Sequence, residues 1–378
     1  MAHIDRTFPS LDHDAIQALR GRSMLSTNDY SRANLDALSA VANAFTALDG
    51  AAVKTPLFPQ ELAWALFFDK STRTKSAWAG ASSRLGMQPV IVDGGTTQVS
   101  HGETAEETGA MIGMNSHAMG IRHCKILGQG RPFIADNTKG IDDYLAAMGD
   151  PRTVPMVNLQ CDWDHPTQSM ADLLWLQEYF GGSIRNKKIA VSWAYSPSYA
   201  KPLSVSQGLI TLLTRFGAHV TLAHPEGYPL YEEAMDLAEK HSVESGGSFR
   251  YVDNMDAAFE GADVVYPKSW GPVDLMVGRQ DAKSEAEMDD IERSAVERNA
   301  RFRDWICDER RMGITNDALY MHCLPADIGD EVTHGVMDKF RVECAREANY
   351  KMYVMMGLIA SAKQDGLGEI LEKYWNDR

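Results

Sequence analysis

The stretch WALFFDKSTRTKSAWAGASSRLG, Trp64 to Gly86, contains the unit from which much of the chain is built. Phe67 and Phe68 end an apolar run that reads as a buried strand, and the residues from Thr74 onward read as a helix closed by Gly86. The segment KSTRT, Lys70 to Thr74, therefore falls at a strand-to-helix turn. A helix start offers free backbone N–H groups and the positive end of the helix dipole, which favour an anion. Ser71, Thr72 and Thr74 add hydroxyl donors, and Arg73 can grip two oxygens at once. A capping role for Ser71 or Thr72 needs no ligand, but three hydroxyls flanking an arginine exceed what a cap requires. Phosphate is the natural guest. The turn has no glycine and Gly-x4-Gly-Lys-Ser/Thr is absent, so it is not a P-loop.

Working outward, the same alternation recurs. The β-prone runs are WALFFD, PVIVDG, AMGIRH, VPMVNLQ, KIAVSW, HVTLAH, DVVYP and ALYMHCLP, separated by stretches of helical character, with an N-terminal helix around Ser31 to Leu48. Strands spaced by helices of this length form parallel sheets through βαβ units. The 378 residues exceed one ordinary core. The expected fold class is α/β, two doubly wound parallel-sheet domains. The boundary falls near Asp162 to Pro166, where a strand ends and a long helix, TQSMADLLWLQEYF, runs to Gly181 and Gly182. The apolar segment YKMYVMMGLIASA needs a packed surface and is expected to fold back on the first domain. This gives residues 1–163 plus 346–378 as one unit and 164–345 as the other. The polar segment Asp274 to Arg311 reads as a solvated insertion helix.

Composition excludes several classes. With a net charge of −15 and no basic run, non-specific nucleic-acid binding is not expected. No segment has the roughly 18 apolar residues of a membrane span. The start, MAHIDRTFPSLDHD, lacks the basic-then-apolar order of a secretory signal, and a cytoplasmic protein is expected. Five scattered cysteines, none in a Cys-x-x-Cys pair, indicate neither a disulfide framework nor a zinc site. No Gly-x-Gly-x-x-Gly opens either domain, against a dehydrogenase. Neither cofactor nor metal is expected.

Three further positions carry chemistry. In DHPTQSMADLL, His165 and Gln168 stand at another strand-to-helix junction with Pro166 near the first helical position. His165 alone reads as a cap or surface group, but with the Gln168 amide it could read a small planar group such as a carboxamide. YMHCLP places His322 to Pro325 at the carboxyl end of a strand, where open α/β sheets bind ligands. A Cys323–His322 nucleophile pair is disfavoured, because adjacent strand residues point to opposite faces. Arg122, ending AMGIRH, would alone be an ordinary surface arginine.

Taken in order, Ser-Thr-Arg-Thr at 71–74, Arg122, His-Pro-x-Gln at 165–168 and His-Cys-Leu-Pro at 322–325 resemble the aspartate/ornithine carbamoyltransferase family. The resemblance implies a carbamoyl-phosphate domain, an acceptor domain, and a homotrimer with sites between subunits. It implies that Ser71, Thr72, Arg73 and Thr74 hold the phosphate and that Arg122 and His165 face the carbamoyl oxygen. Gln168 and the Leu324 carbonyl would bind the carbamoyl nitrogen, with Cys323 a contact. HGETAEET, from His101, resembles the loop that enters the neighbouring subunit's site. Donors fixed at a developing oxyanion and leaving group accelerate such a transfer without a metal or a covalent intermediate.

The acceptor is less defined. The Asp and Ser-Met-Gly motif of the ornithine branch is absent, and KSWGP follows DVVYP instead. Lys268 suits an acceptor carboxylate and Trp270 a pocket wall, although a strand-end lysine is as often exposed and idle. SWAYSPSYAKPLS and KSW resemble the knotted branch, which contains N-acetylornithine carbamoyltransferase and members of unassigned substrate, implying a deep trefoil knot in the second domain. The family's C-terminal arginine is replaced by Lys351, which cannot donate two parallel bonds, and Lys75 stands where arginine is common. The implied activity is carbamoyl transfer between carbamoyl phosphate and the amino group of a small amino acid or its N-acyl or ureido derivative, in either direction. N-acetylornithine carbamoyltransferase is the alternative within the family. A silent carbamoyl-phosphate-binding protein is the alternative of another class.

Overall fold

The computed structural model describes residues 7–198 and 201–378. Tyr199 and Ala200, within the loop read as knotted, lie outside the described residues, as does the extreme N-terminal segment. Nine strands occur among the described residues: β1 (Leu62–Phe67), β2 (Gln88–Asp93), β3 (Ala118–His123), β4 (Met156–Cys161), β5 (Lys188–Ser192), β6 (His219–Ala223), β7 (Ser248–Val252), β8 (Val264–Pro267) and β9 (Leu319–Tyr320). They form two parallel sheets, ordered β2-β1-β3-β4 and β7-β6-β5-β8-β9. The eight apolar runs each contain a strand, and β4, although last in its sheet, is buried along its whole length, as sheets covered on both faces require. SFRYV, not anticipated as a strand, forms β7 at an edge, where mostly exposed side chains leave no apolar signature.

Strand order reverses at β1/β3 in the first sheet and at β5/β8 in the second, and such switch points open crevices at the carboxyl ends of strands. In the first, Phe67 is in register with Arg122. Phe68 N donates to Arg122 O at 2.9 Å, and Asp69 accepts from Cys124 N at 2.7 Å, tying the turn after β1 to the end of β3. In the second, Lys268 N donates to Ser192 O at 2.8 Å, holding the end of β8 against the end of β5.

Helices complete both cores. Helix Arg32–Gly50 starts at Ser31, whose side chain accepts from Asn34 N, close to its expected span. Helix Pro166–Tyr179 is buried from Pro166 through Leu176 and leads from the first sheet towards the second. Helix His334–Lys363 contains the last apolar segment and packs against Arg32–Gly50, Arg73–Arg84 and Pro166–Tyr179. Helices Ala105–Gly113 and Gly130–Met148 meet backbone to backbone. A methyl built on Gly109 would lie 2.2 Å from Asn137 O, and one on Gly140 would lie 2.1 Å from Glu106 O.

The polar segment is not one solvated helix. It divides into Val273–Asp281 and Glu285–Asn299, and the buried Arg279 donates to Lys125 O at 2.9 Å in the loop after β3. All five cysteines are unpaired. Among the described residues no helix is long and apolar enough to cross a membrane.

Candidate active site between the two sheets

Helix Arg73–Arg84 begins at the end of the first crevice. Thr72, its N-cap residue, makes no side-chain cap hydrogen bond, so the capping explanation of the hydroxyl cluster fails there. The exposed start of the helix faces a cavity of about 200 Å³ lined by Ser71, Arg73, Thr74, Arg122, His165, Gln168, Lys268, Cys323, Leu324 and Lys351. The ends of β1, β3, β4, β8 and β9 thus converge, joining both crevices. Three sequence candidates lie elsewhere. Thr72 is exposed and its side chain is not in the lining, and His101 is exposed on the 3₁₀ turn Gln98–His101.

Trp270 is the third, and its placement corrects the expected pocket wall. It is fully buried beneath the site, with Nε1 donating to Tyr228 O at 3.0 Å and its carbonyl accepting from Trp193 Nε1 at 2.9 Å. The chain turns after Lys268, and the large indole gains more from the aromatic core than from a wet wall.

The cavity is strongly cationic although the chain is acidic. Lys70, Arg73, Arg122, Lys201, Lys268 and Lys351 line it, against the single carboxylate Glu331. Arg122 and Lys351 make no side-chain hydrogen bond or ion pair among the described residues, and Arg122 Nε is buried without a partner. Burial lowers the pKa of Lys351 and of Lys268, whose ammonium donates to Ser269 O at 2.7 Å and Pro202 O at 3.2 Å. Burial lowers the pKa of Arg73 too, with Arg122 adding repulsion, yet a guanidinium stays charged. Arg73 also donates to the Leu324 carbonyl, so the phosphate and carbamoyl subsites of the sequence reading share a contact. Leu324 holds φ at 52°, a left-handed conformation that costs a non-glycine residue energy and recurs at functional sites.

His165 is withdrawn from water, and burial, reinforced by Lys351, Arg122, Lys268 and Arg73, drives its pKa well below the ordinary value. It is a neutral imidazole at neutral pH. His322 is also lowered by burial; its Nδ1 accepts from Leu324 N at 2.8 Å, which puts its proton on Nε2 facing Glu331 at 3.4 Å. Because Leu324 occupies Nδ1, the Cys323 thiol has no base there.

Glu331 is the hub that sequence reasoning missed. Fully buried, it accepts from Ser269 N at 2.7 Å, Asp327 N at 2.8 Å and Lys201 Nζ at 2.8 Å. Burial alone would raise its pKa, but His322 and Lys201 hold it below the usual carboxylate range. Lys70, Gln160 and Lys201 were missed as well. Lys70 adjoins the first motif, whereas Gln160 and Lys201 belong to no short pattern.

Two parallel α/β sheets meeting at a cationic cavity of this composition define an α/β protein with an anion-binding site between its sheets. Residues 22–178 match the carbamoyl-P binding domain, and 201–362 the Asp/Orn binding domain, of aspartate/ornithine carbamoyltransferase. The protein called "Putative carbamoyltransferase YgeW" of Escherichia coli K12 is 43% identical over 368 residues, covering 94% of this chain and 93% of that one. An N-acetylornithine carbamoyltransferase of Xanthomonas axonopodis pv. citri is 31% identical over 365 residues, covering 92% and 98%. The crystal structure of an acetylornithine transcarbamylase complexed with acetylcitrulline aligns at TM-score 0.76 and 28% identity, covering 91% of this chain and 100% of that one. The chain belongs to the aspartate/ornithine carbamoyltransferase family. It is a carbamoyltransferase, with carbamoyl phosphate and an amino-group acceptor as its reactants.

Proposed function

We propose that the cavity carries out this transfer with the residues identified by their motifs. The observation carrying the reading is a pair of unpartnered cations, the buried Lys351 and the half-buried Arg122 with its Nε sealed from water, in the cavity at the start of helix Arg73–Arg84. Buried charge without a protein partner is costly unless a ligand completes it. In this reading the side chains of Ser71, Arg73 and Thr74, with the backbone of the Ser71 to Thr74 turn, hold the phosphate, with Lys70 at the rim. Arg122 and His165 face the carbamoyl oxygen, and Gln168 and Leu324 O face its nitrogen, with Cys323 and Lys351 alongside. Thr167 Oγ1 lies 3.3 Å from His165 Nδ1; with that hydroxyl donating, Nε2–H is free to donate to the carbamoyl oxygen.

The acceptor amine attacks the carbonyl carbon, and charge gathers on the oxygen that Arg122 and His165 face. As the new C–N bond forms, the C–O bond to phosphate breaks, and the amine proton leaves with the phosphate. The reverse course makes carbamoyl phosphate from a ureido compound and inorganic phosphate. Lys268, well placed beside Cys323, is assigned to an acceptor carboxylate. The acceptor is a small amino acid or its N-acyl or ureido derivative.

The larger assignments belong to the same proposal. Residues 1–163 with 346–378 form the carbamoyl-phosphate domain, and 164–345 the acceptor domain. The packing of helix His334–Lys363 on helices of the first sheet supports this division. The loops after β5 and β8 bond at Gly271 N to Lys201 O, 3.0 Å, which is compatible with the expected knot. A cytoplasmic homotrimer, with His101 reaching a neighbour's cavity, completes the reading. Its test is phosphate release from carbamoyl phosphate across amino acids, N-acyl diamino acids and short diamino acids, with mass detection of ureido products. A product names the acceptor. Tight binding of carbamoyl phosphate without turnover in either direction would instead favour a silent binding protein.

A further inference from the structure

Gln168 has both amide protons spent inside the protein. Its Nε2 donates to Glu347 Oε1 at 2.6 Å and to Asp172 Oδ1 at 3.1 Å, while its Oε1 accepts nothing among the described residues. Asp172 stands one turn along helix Pro166–Tyr179, and Glu347 stands on the facing helix His334–Lys363. Both acids are essentially sealed from water, at 0% and 1% exposure, and among the described residues no ion pair reaches either. One nitrogen bonds both, so Glu347 Oε1 and Asp172 Oδ1 lie no farther apart than the sum of those two hydrogen bonds, and Glu347 Oε2 is buried without a partner among the described residues. Two carboxyl groups this close and sealed from water are costly to ionise together, which favours a proton on one of them.

We propose that Asp172 and Glu347 form a proton-sharing pair that fixes the Gln168 amide, so that the site accepts an NH2 group and rejects an oxygen in its place. Both are positioning residues, and the proposal rests on the assignment of Gln168 to the carbamoyl nitrogen. An amide can turn over with almost no change of shape; only its partners choose between the two orientations. Here the turned amide would set Oε1 against two carboxyl groups, so Oε1 is left for the cavity that Gln168 lines. Arg122 and His165, as donors, would read the carbamoyl oxygen from the other side. An acid analogue would then place an oxygen against an acceptor, the kind of mismatch that buried polar sites discriminate strongly.

The surroundings set the direction of the pH response. Lys351 follows Glu347 by one turn, and Arg73 approaches from its own helix. Arg122 comes from the end of β3, His165 heads the helix of Asp172, and Cys344 lies on the helix of Glu347. Cys323 follows β9, and the Tyr266 hydroxyl, on β8, lies 3.4 Å from Asp172 Oδ2. Burial raises the pKa of both acids, the neighbouring Glu347 charge raising Asp172 further, while Lys351 pulls Glu347 partly back. A raised acid keeps its proton into the neutral range and loses it as pH rises. Two like charges then face each other, the pair separates, and Gln168 loses its fixed orientation.

The test compares calorimetric binding of phosphonoacetamide, phosphonoacetate and inorganic phosphate from weakly acidic to alkaline pH. The wild-type enzyme should prefer the amide over the acid and lose that preference as pH rises. Glu347→Gln, which supplies a permanent donor to Asp172 and an acceptor to Gln168, should keep the preference and flatten its pH dependence. Glu347→Ala should reduce the preference roughly tenfold, the scale of one lost hydrogen bond, with phosphate affinity unchanged. A preference and pH profile identical in wild type and Glu347→Gln would overturn the shared proton, whether or not the alanine variant folds. Failure of the wild type to bind phosphate or phosphonoacetamide would instead remove the carbamoyl-phosphate reading, and this inference with it.

Discussion

Arg122 presents a guanidinium that nothing in the described protein answers, and the proposed function sets it against the carbamoyl oxygen, where negative charge would develop. Arg122→Ala is expected to lower kcat by about 10²–10³, the usual loss for one oxyanion donor. Steady-state kinetics with the identified acceptor checks this; an unchanged kcat with a raised KM would assign Arg122 to ground-state binding alone. Trp270 makes the opposite case. Trp270→Phe removes a buried donor to Tyr228 and some volume, and should cost about 1–3 kcal/mol in denaturant unfolding. The KM for the acceptor should stay put, and a marked rise in it would restore Trp270 to the pocket. Short motifs at strand ends named residues that the fold does bring to one cavity, Ser71, Arg73, Thr74, Arg122, His165 and Gln168, though Thr72 stays outside it. The site was illegible where folding assembles distant residues: Lys201 and Glu331 lie 130 positions apart and meet at 2.8 Å. Trp270 was misplaced because proximity to Lys268 in sequence says little once a strand has ended.

Among the elements, the segment after β9 depends most on a single side chain. Glu331 holds the turn at Asp327, the backbone after Lys268, and Lys201 together. Removing one partner of such a buried charge typically costs about 3–5 kcal/mol, and Glu331→Ala is expected to fall in that range by chemical denaturation. Its folded pKa lies below the unfolded value, so its contribution is present above the ordinary glutamate pKa and lost as pH falls through the folded value. Glu331→Gln should therefore flatten the acid limb of the stability profile. An equally steep acid limb in the variant would move the linkage to other carboxylates. The strands themselves were easier to foresee than this hub, because a parallel sheet buried on both faces writes continuous apolar runs into the sequence. β7 escaped because an edge strand with exposed side chains leaves no such run. The polar segment Asp274 to Arg311 escaped differently: buried Arg279 reaches Lys125 O through its polar head, and composition alone reads that arginine as solvated.

At the scale of the whole molecule, His101 decides whether one chain is enough. It is exposed and outside its own chain's cavity, on a turn leading into helix Ala105–Gly113, which is locked backbone to backbone against Gly130–Met148. A rigid mount carrying an exposed loop suits a contact made in another subunit, as the trimer reading requires. In a cyclic trimer each site would then combine the Arg122 of one chain with the His101 of the next. Arg122→Ala and His101→Ala enzymes should each be severely impaired, for different reasons. If the two are dissociated, mixed in equal amounts and reassociated at random, a site is intact when the His101→Ala chain supplies the cavity and the Arg122→Ala chain supplies the loop. That combination occurs at about one quarter of sites, from two independent choices of one half. Recovered activity should approach that fraction of wild type, with sedimentation showing trimers throughout. Sedimenting trimers that recover nothing on mixing would place both residues in one chain's site, or leave His101 without a part in it.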